Sequence, residues 1–220
     1  MDERVAVQGF SLADKKAAVI GCGGLGCNIA THLACAGVGE LHLCDFDTVS
    51  ASNLNRQFLY TVNDIGKEKA ALAKARLELI SPQTKITVHN QKMETPADLA
   101  FAVGADAVFL AVDNNAARAL VQAFCAAEGI PLVNGGINGF FGTAYLYLPG
   151  KTPDLTAAGM LLAENGVMRS VSSTVGVIGA LEAHLGIRLF LNDTSSAGKL
   201  HVFDGGEIHT LTIKRRLQHA

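Results

Sequence analysis

The apolar run Ala17 to Ile20 breaks off into Gly21-Cys22-Gly23-Gly24-Leu25-Gly26, and that junction limits the fold more than any other part of the chain. Gly21, Gly23 and Gly26 have the spacing G-x-G-x-x-G. The pattern reads as a strand over Ala17 to Gly21, a tight turn, and a helix over Leu25 to Ala36. Glycines at the turn let the backbone reverse sharply and approach a bound group closely. The helix that follows starts with unpaired N–H groups and a partial positive charge, a ready site for phosphate. A second strand, Glu40 to Asp45, ends in a carboxylate about 20 residues after the glycines, where such folds hold a ribose hydroxyl. Gly21, Gly23, Gly24, Gly26 and Asp45 are therefore candidate nucleotide contacts. Taken alone, the fingerprint fits a dinucleotide dehydrogenase as well as an ATP site.

The next stretch separates the two readings. A dehydrogenase would pass into ordinary βαβ structure, whereas here the polar run Ser52-Asn53-Leu54-Asn55-Arg56-Gln57 intervenes. An arginine fork suits phosphate oxygens, and Asn and Gln side chains donate to phosphates or hold the loop's own backbone. Asp64-Ile65-Gly66 reads as a helix start with Lys69 in its first turns, a second cation for the same anion. The apolar run from Asp106 to Val112 reads as a buried parallel strand, so Asp113 and Asn114 emerge at its C-terminal end, where open α/β sheets bind ligands. Two cations and two carboxylates converging there fit a triphosphate with Mg²⁺ better than a dinucleotide.

Along the rest of the chain, Ala70, Ala73, Leu77 and Ile80 recur at helical spacing before Ser81-Pro82. Lys85 to His89 alternates as a strand, Pro96 to Val103 reads as a helix, and Asn115 to Glu128 as another, followed by a strand over Ile130 to Asn134. This alternation predicts a Rossmann-like, doubly wound, mainly parallel α/β sheet. Beyond Asn134 the grammar changes. Gly135, Gly136, Gly139 and Gly142 are expected around a turn, and Thr143 to Leu148 is a strand with no crossover helix before it, which predicts antiparallel strands at the C-terminal edge. Lys151 to Ser170 is expected to be a mobile crossover loop with at most a short helix from Ala157 to Glu164. A long helix follows through Val171, Val175, Ile178, Leu181 and Leu185, with Ser172, Gly176 and Ala180 as a small-residue stripe for close packing. Lys199 to Asp204 and Glu207 to Lys214, joined by Gly205-Gly206, form a terminal hairpin. Gly150-Lys151-Thr152 copies the end of a P-loop, but Tyr145 replaces the first glycine and Pro153 follows, so it reads as a turn.

A chain of 220 residues with 49% hydrophobic and 17% charged residues suits a single domain over 1–220, with 1–16 as an N-terminal extension. The formal net charge of −2 gives no electrostatic case for nucleic acid or an acidic membrane. No apolar run approaches the roughly 20 residues of a membrane span, and no signal peptide begins the chain, so a cytoplasmic location is expected. The five cysteines include no C-x-x-C pair and are expected as reduced, buried thiols. His201 and His209 are expected on an exposed strand face and not as metal ligands.

GCGGLG, DFDTVSASNLNRQ, DIGKEK, the VDN at Val112 to Asn114 and VGVIGALEA at Val175 to Ala183 together resemble the ThiF/MoeB/HesA family, bacterial relatives of ubiquitin-activating enzymes. The resemblance covers residues 17 to about 213. It implies ATP-dependent adenylation of the C-terminal Gly-Gly carboxylate of a small ubiquitin-like sulfur carrier protein, in a homodimer. On that reading Asp45 holds the ribose, the glycine loop the phosphates, Arg56 and Lys69 the β- and γ-phosphates, and Asp113 the Mg²⁺. Asn53 and Gln57 orient that set, with Ser52, Asn55 and Asn114 as further nucleotide contacts. An NAD-dependent oxidoreductase and a non-catalytic carrier-binding subunit are the alternatives.

Several features depart from the family pattern. Many relatives hold a structural zinc with two C-x-x-C pairs, but no cysteine follows Cys125 here, so no zinc site is expected. The loop from 150 to 170 also lacks the cysteine used by relatives that form a thioester or persulfide, which leaves adenylation as the expected chemical step. Arg4 is the only arginine before the first strand, and Thr143 stands where a Gln is common.

Overall fold

A computed structural model describes residues 3–161 and 169–214. The strand over residues 17–20 is there, as β1 (Lys16–Ile20), and its side chains alternate between two cores. Ala17 and Val19 face one apolar cluster, and Ala18 and Ile20 face another on the opposite side. A parallel strand buried on both faces has no polar side, which is why these runs read as continuous apolar stretches. The neighbours β2 (Glu40–Cys44), β3 (Lys85–His89), β4 (Ala107–Leu110) and β5 (Leu132–Asn138) join β1 in parallel. β6 (Phe141–Tyr147), β7 (Lys199–Phe203) and β8 (Ile208–Thr212) extend the sheet antiparallel, in the order β3-β2-β1-β4-β5-β6-β7-β8. The predicted fold class and its antiparallel C-terminal edge are both present.

Five α-helices accompany the sheet among the described residues: α1 (Glu3–Gln8), α2 (Gly24–Cys35), α3 (Lys69–Ile80), α4 (Asn115–Glu128) and α5 (Ser172–Phe190). The first core takes Leu33 of α2, Leu77 of α3 and Ile178 of α5; the second takes Val121 and Phe124 of α4. Reversal of strand order places the β1–β4 crossover at the sheet centre, so the C-terminal ends of these strands open a crevice between the helical layers.

Several expectations need correction. The helix containing Lys69 begins at Lys69 itself and not at Asp64, because Gly66 lies at φ +86° and Val62–Asp64 closes a separate 3₁₀ turn. Gly135 and Gly136 belong to β5, and the turn falls at Gly139. Their lack of a Cβ serves packing: the Glu182 carboxyl of α5 fills the space beside Gly135, as Ile178 does beside Gly142. On α5 the close approach uses Gly179, against Asn28 and the Leu25 carbonyl of α2, and Gly186, against the Phe109 ring, while Ser172 is exposed. Cys35 is an exposed thiol; the other four cysteines are buried. The Pro96–Ala102 segment is 3₁₀ helix, and Ile80 is half exposed.

The first part of the expected crossover loop is anchored. Leu155 is buried and its N–H donates to Gln122 Oε1 at 2.6 Å, while Tyr145 Oη donates to the Pro153 carbonyl at 2.8 Å. Residues 157–159 form a turn, 160 and 161 are not helical, and the remainder of the expected short helix lies outside the described residues. Thr152 Oγ1 accepts from the Leu148 N–H, so Gly150-Lys151-Thr152 is a turn. His201 is half-buried on β7, its Nδ1 within 3.1 Å of Thr210 Oγ1, while His209 pairs with Asp204.

On the second face of the sheet, Glu40, His42 and His89 form a chain across β2 and β3. His42 Nε2 lies 2.8 Å from Glu40 Oε1, and His42 Nδ1 lies 2.9 Å from His89 Nε2, with both rings stacked against Phe101. Burial lowers the pKa of His42, opposed by Glu40 and reinforced by Lys16 and Lys85; burial also lowers that of His89, helped by His42 and Lys16. Doubly protonated, the pair would aim two N–H donors at each other. A folded pKa below the unfolded value of about 6.5 means that this stability is present above pH ~6.5 and lost as pH falls through the folded values. The urea midpoint of the wild type is expected to drop between pH 7.5 and 5, with a shallower drop in His89→Gln; equal slopes would show that the pair carries none of the dependence.

Candidate active site

The glycine turn works by absence of side chains. Gly21 sits at φ +96°, and a Cβ there would strike the Ala111 carbonyl at 2.5 Å; a Cβ on Gly26 would overlap the Gly21 carbonyl. The close approach lets α2 begin directly beyond β1. Its N-cap, Gly23, offers no side-chain cap, so the first-turn N–H groups are left for a ligand. Gly21, Gly23, Gly24 and Leu25 line a cavity of about 850 Å³, within the usual range for a small-molecule site.

Asp45 leaves the end of β2 buried in that cavity's wall. Its Oδ2 accepts from the Cys22 N–H at 2.6 Å and its Oδ1 from the Asp47 N–H at 2.8 Å, which ties the glycine turn to the β2 loop. Burial raises its pKa, countered by those two N–H bonds and by the charge of Lys69. Each oxygen keeps a lone pair for a further donor. Lys69 is the first residue of α3 and almost wholly buried, its Nζ held 3.0 Å from Asp47 Oδ2. Tyr60 Oη lies within hydrogen-bonding range of the Cys22 and Lys69 carbonyls, at 2.8 and 3.2 Å, and so links turn, loop and helix.

The polar run folds into a 3₁₀ turn, Ala51–Asn53, in which Asn53 Oδ1 accepts from the Ser50 N–H. Arg56 lines the cavity with its Nη1 donating to the Ser52 carbonyl at 3.0 Å and Asn55 Oδ1 at 2.8 Å. Asn53 and Gln57 also line it; Ser52 and Asn55 do not, and brace the arginine from behind. Gln57 is buried with its Oε1 unpartnered, a polar group that a donor on a ligand would satisfy.

Across the cavity, Asp113 is exposed beyond the end of β4. Asn114 has a local task that the sequence expectation did not assign: its Oδ1 caps α4, accepting from the Ala117 N–H at 2.8 Å, which leaves the amide NH₂ and one lone pair for a ligand. Phe46, Met93, Val112 and Leu120 contribute apolar lining. Among the described residues, no group of three or more His, Cys, Asp or Glu could hold a metal by itself. Mg²⁺ bound with phosphates takes one or two carboxylates, so Asp113 fits such an ion while a caged metal does not.

Sequence reading missed Asp47, whose only signal was its place two residues after Asp45 in a loop start. It also missed Arg118, which lines the cavity from α4, and the apolar lining residues, because they come from helix and loop positions that look like ordinary amphipathic pattern. Among the described residues no helix is long and apolar enough to cross a membrane.

A sequence model of the ThiF family matches residues 8–220. The chain is 35% identical over 214 residues to the sulfur carrier protein ThiS adenylyltransferase of Escherichia coli K12, covering 93% of this chain and 84% of that one. It is 37% identical over 142 residues to the SUMO-activating enzyme subunit uba-2 of Caenorhabditis elegans, covering 64% of this chain and 24% of that much longer one. Its fold matches the crystal structure of E. coli MccB with ATP, at a TM-score of 0.82 and 24% identity, over 93% of this chain and 64% of that chain. With the glycine turn, the polar loop and the carboxylates gathered at the C-terminal ends of the parallel strands, these matches place the chain in the ThiF family.

Proposed function

We propose that this chain is an ATP-dependent adenylyltransferase that activates the C-terminal Gly-Gly carboxylate of a small ubiquitin-like sulfur carrier protein of the ThiS/MoaD type. The observation that carries the reading is the convergence, in one cavity, of an uncapped helix N-terminus, the cations Lys69 and Arg56, and the Asp113 carboxylate. A dinucleotide site has no use for that cation set. The ThiF-family relatives support the adenylyltransferase class, and their adenylyltransferase names support a carrier of this type. A homodimer in the cytoplasm belongs to the same proposal and rests on the family.

In the reaction, a carboxylate oxygen of the carrier attacks the α-phosphorus of ATP. The bond from that phosphorus to the bridging oxygen breaks, and pyrophosphate leaves with the electron pair. The attacking group is already ionised near neutral pH, so no general base is needed; placement and charge neutralisation supply the catalysis. The α2 N-terminus and glycine turn receive the phosphates, and Asp45 takes a ribose hydroxyl on its remaining lone pairs. Arg56, braced by Ser52 and Asn55, and Lys69, braced by Asp47, face the β- and γ-phosphates as cations fixed before the substrate arrives. Asp113 would hold Mg²⁺, which would offset the charge of the leaving pyrophosphate. Arg4 is engaged within its own chain, donating to the Ala34 carbonyl at 3.2 Å and Ser81 Oγ at 2.6 Å, so the proposal gives it no role in catalysis.

ATP–pyrophosphate exchange is expected to require both Mg²⁺ and a small protein ending in Gly-Gly. Exchange that persists without any carboxylate acceptor would sink the reaction proposed here.

Lys69 gains interaction energy as charge builds on the departing pyrophosphate, so Lys69→Ala is expected to lower kcat by about 10²–10³ with a smaller change in ATP affinity. Its partner Asp47 is half exposed and is hydrated when released, which keeps the fold out of the result. Asp45→Ala strips two backbone N–H groups of their acceptor; it is expected to raise KM for ATP and also to cost about 1–3 kcal/mol of stability. Steady-state kinetics with a melting curve separate the two, and a pure KM effect for Lys69→Ala would remove it from the catalytic set.

A further inference from the structure

Arg118 is buried to 2% exposure in the wall behind the cavity, one turn into α4. Its side chain runs back toward the helix start, as helical side chains do. Nη2 donates to the Val112 carbonyl at 2.8 Å and to the Gly135 carbonyl at 3.1 Å, and Nη1 donates to Asn134 Oδ1 at 2.7 Å. One guanidinium thus joins the segment just beyond β4 to the middle of the adjacent strand β5. The Val112 carbonyl and the Asp113 N–H share one planar peptide unit, so holding the first fixes the backbone from which the Asp113 side chain springs.

We propose that Arg118 is a positioning residue, which sets the Asp113 carboxylate at the cavity by clamping the Val112–Asp113 peptide to β5 at Asn134 and Gly135. The use made of Asp113 rests on the adenylation reading; the clamp itself is geometry. Burying a guanidinium without a close carboxylate costs several kcal/mol, and an apolar side chain of similar volume would pack there more cheaply. Glu182 of α5 is the nearest counter-charge in the core. It is fully buried over Gly135, and burial pushes its pKa well up against the pull of Arg118 and of the Gly135 backbone. Arg118 makes no ion pair with Glu182 and is oriented by the three oxygens it binds. Lysine keeps the charge but not the fork that spans two strands.

Three measurements on the full chain test the clamp. In protein free of metal and nucleotide, Arg118→Lys is expected to speed amide hydrogen exchange about tenfold across residues 111–117 and to leave β1 and the glycine turn unchanged. In equilibrium dialysis with ATP, the factor by which Mg²⁺ improves binding over EDTA is expected to fall about tenfold in Arg118→Lys, but less than twofold when the change is made on Asp113→Asn. Glu182→Gln is expected to leave that factor within twofold of wild type. Should Arg118→Lys fail to fold, Asn134→Ser, which removes one acceptor of the fork, is expected to show the same dependence on Asp113 at about threefold. Equal losses in both backgrounds, uniform acceleration of exchange throughout the chain, or no Mg²⁺ effect on wild-type binding would each overturn the proposal. If the coupling appears but no exchange of pyrophosphate occurs with a Gly-Gly protein, the clamp stands and the adenylation reading falls; if pyrophosphate exchange occurs but the losses are additive, adenylation stands and the clamp falls.

Discussion

The arrangement of the whole site depends on one backbone-to-backbone contact, Gly26 lying against the Gly21 carbonyl with Gly21 itself against the Ala111 carbonyl. No other residue type leaves room for it. This contact brings the start of α2 down onto the ends of β1 and β4, so the helix N–H groups and the residues beyond β4 face one volume. A Cβ at either glycine would push the helix away from the sheet and separate the cations from Asp113.

Around that contact the protein holds its charges in place with neutral or paired groups instead of leaving them to solvent. Asp45 spends two lone pairs on backbone N–H groups, Lys69 rests on Asp47, and Arg56 is braced by Ser52 and Asn55. Such partners restrict side chains that are otherwise rich in rotamers, so binding a polyanion orders little that is not already ordered. Arg118 does the corresponding work for the backbone on the β4 side. The buried Gln57 acceptor and the open first turn of α2 are two places where the unliganded protein leaves polar groups unsatisfied, and both line the same cavity.

Much of this was legible from residue order because it is local chemistry. The glycine spacing, the carboxylate closing β2, the polar run and the acid after β4 each declare themselves within a few residues, and the alternation of apolar runs with helical pattern declares the doubly wound sheet. The expectations that failed mostly concern neighbours distant in the chain. Gly135 and Gly136 look like turn residues until α5 is laid across them, and the stripe Ser172, Gly176, Ala180 looks like a packing face until the placement of α5 sets Gly179 against α2 and Gly186 against the Phe109 ring of β4. Asn114 and Asp113 look equivalent as ligands until the start of α4 claims one of them as its cap.

By itself, then, the order of residues determined the fold class, the phosphate-facing turn and the identities of the main charged groups, since each follows from backbone sterics or side-chain chemistry over a short span. Only the tertiary structure decided which of those groups share a cavity, that Ser52 and Asn55 stand behind Arg56, that Asp47 holds Lys69, and that a buried arginine joins β4 to β5. Those outcomes rest on how separate elements pack against one another, where distances of an ångström decide a partner and no local pattern records it.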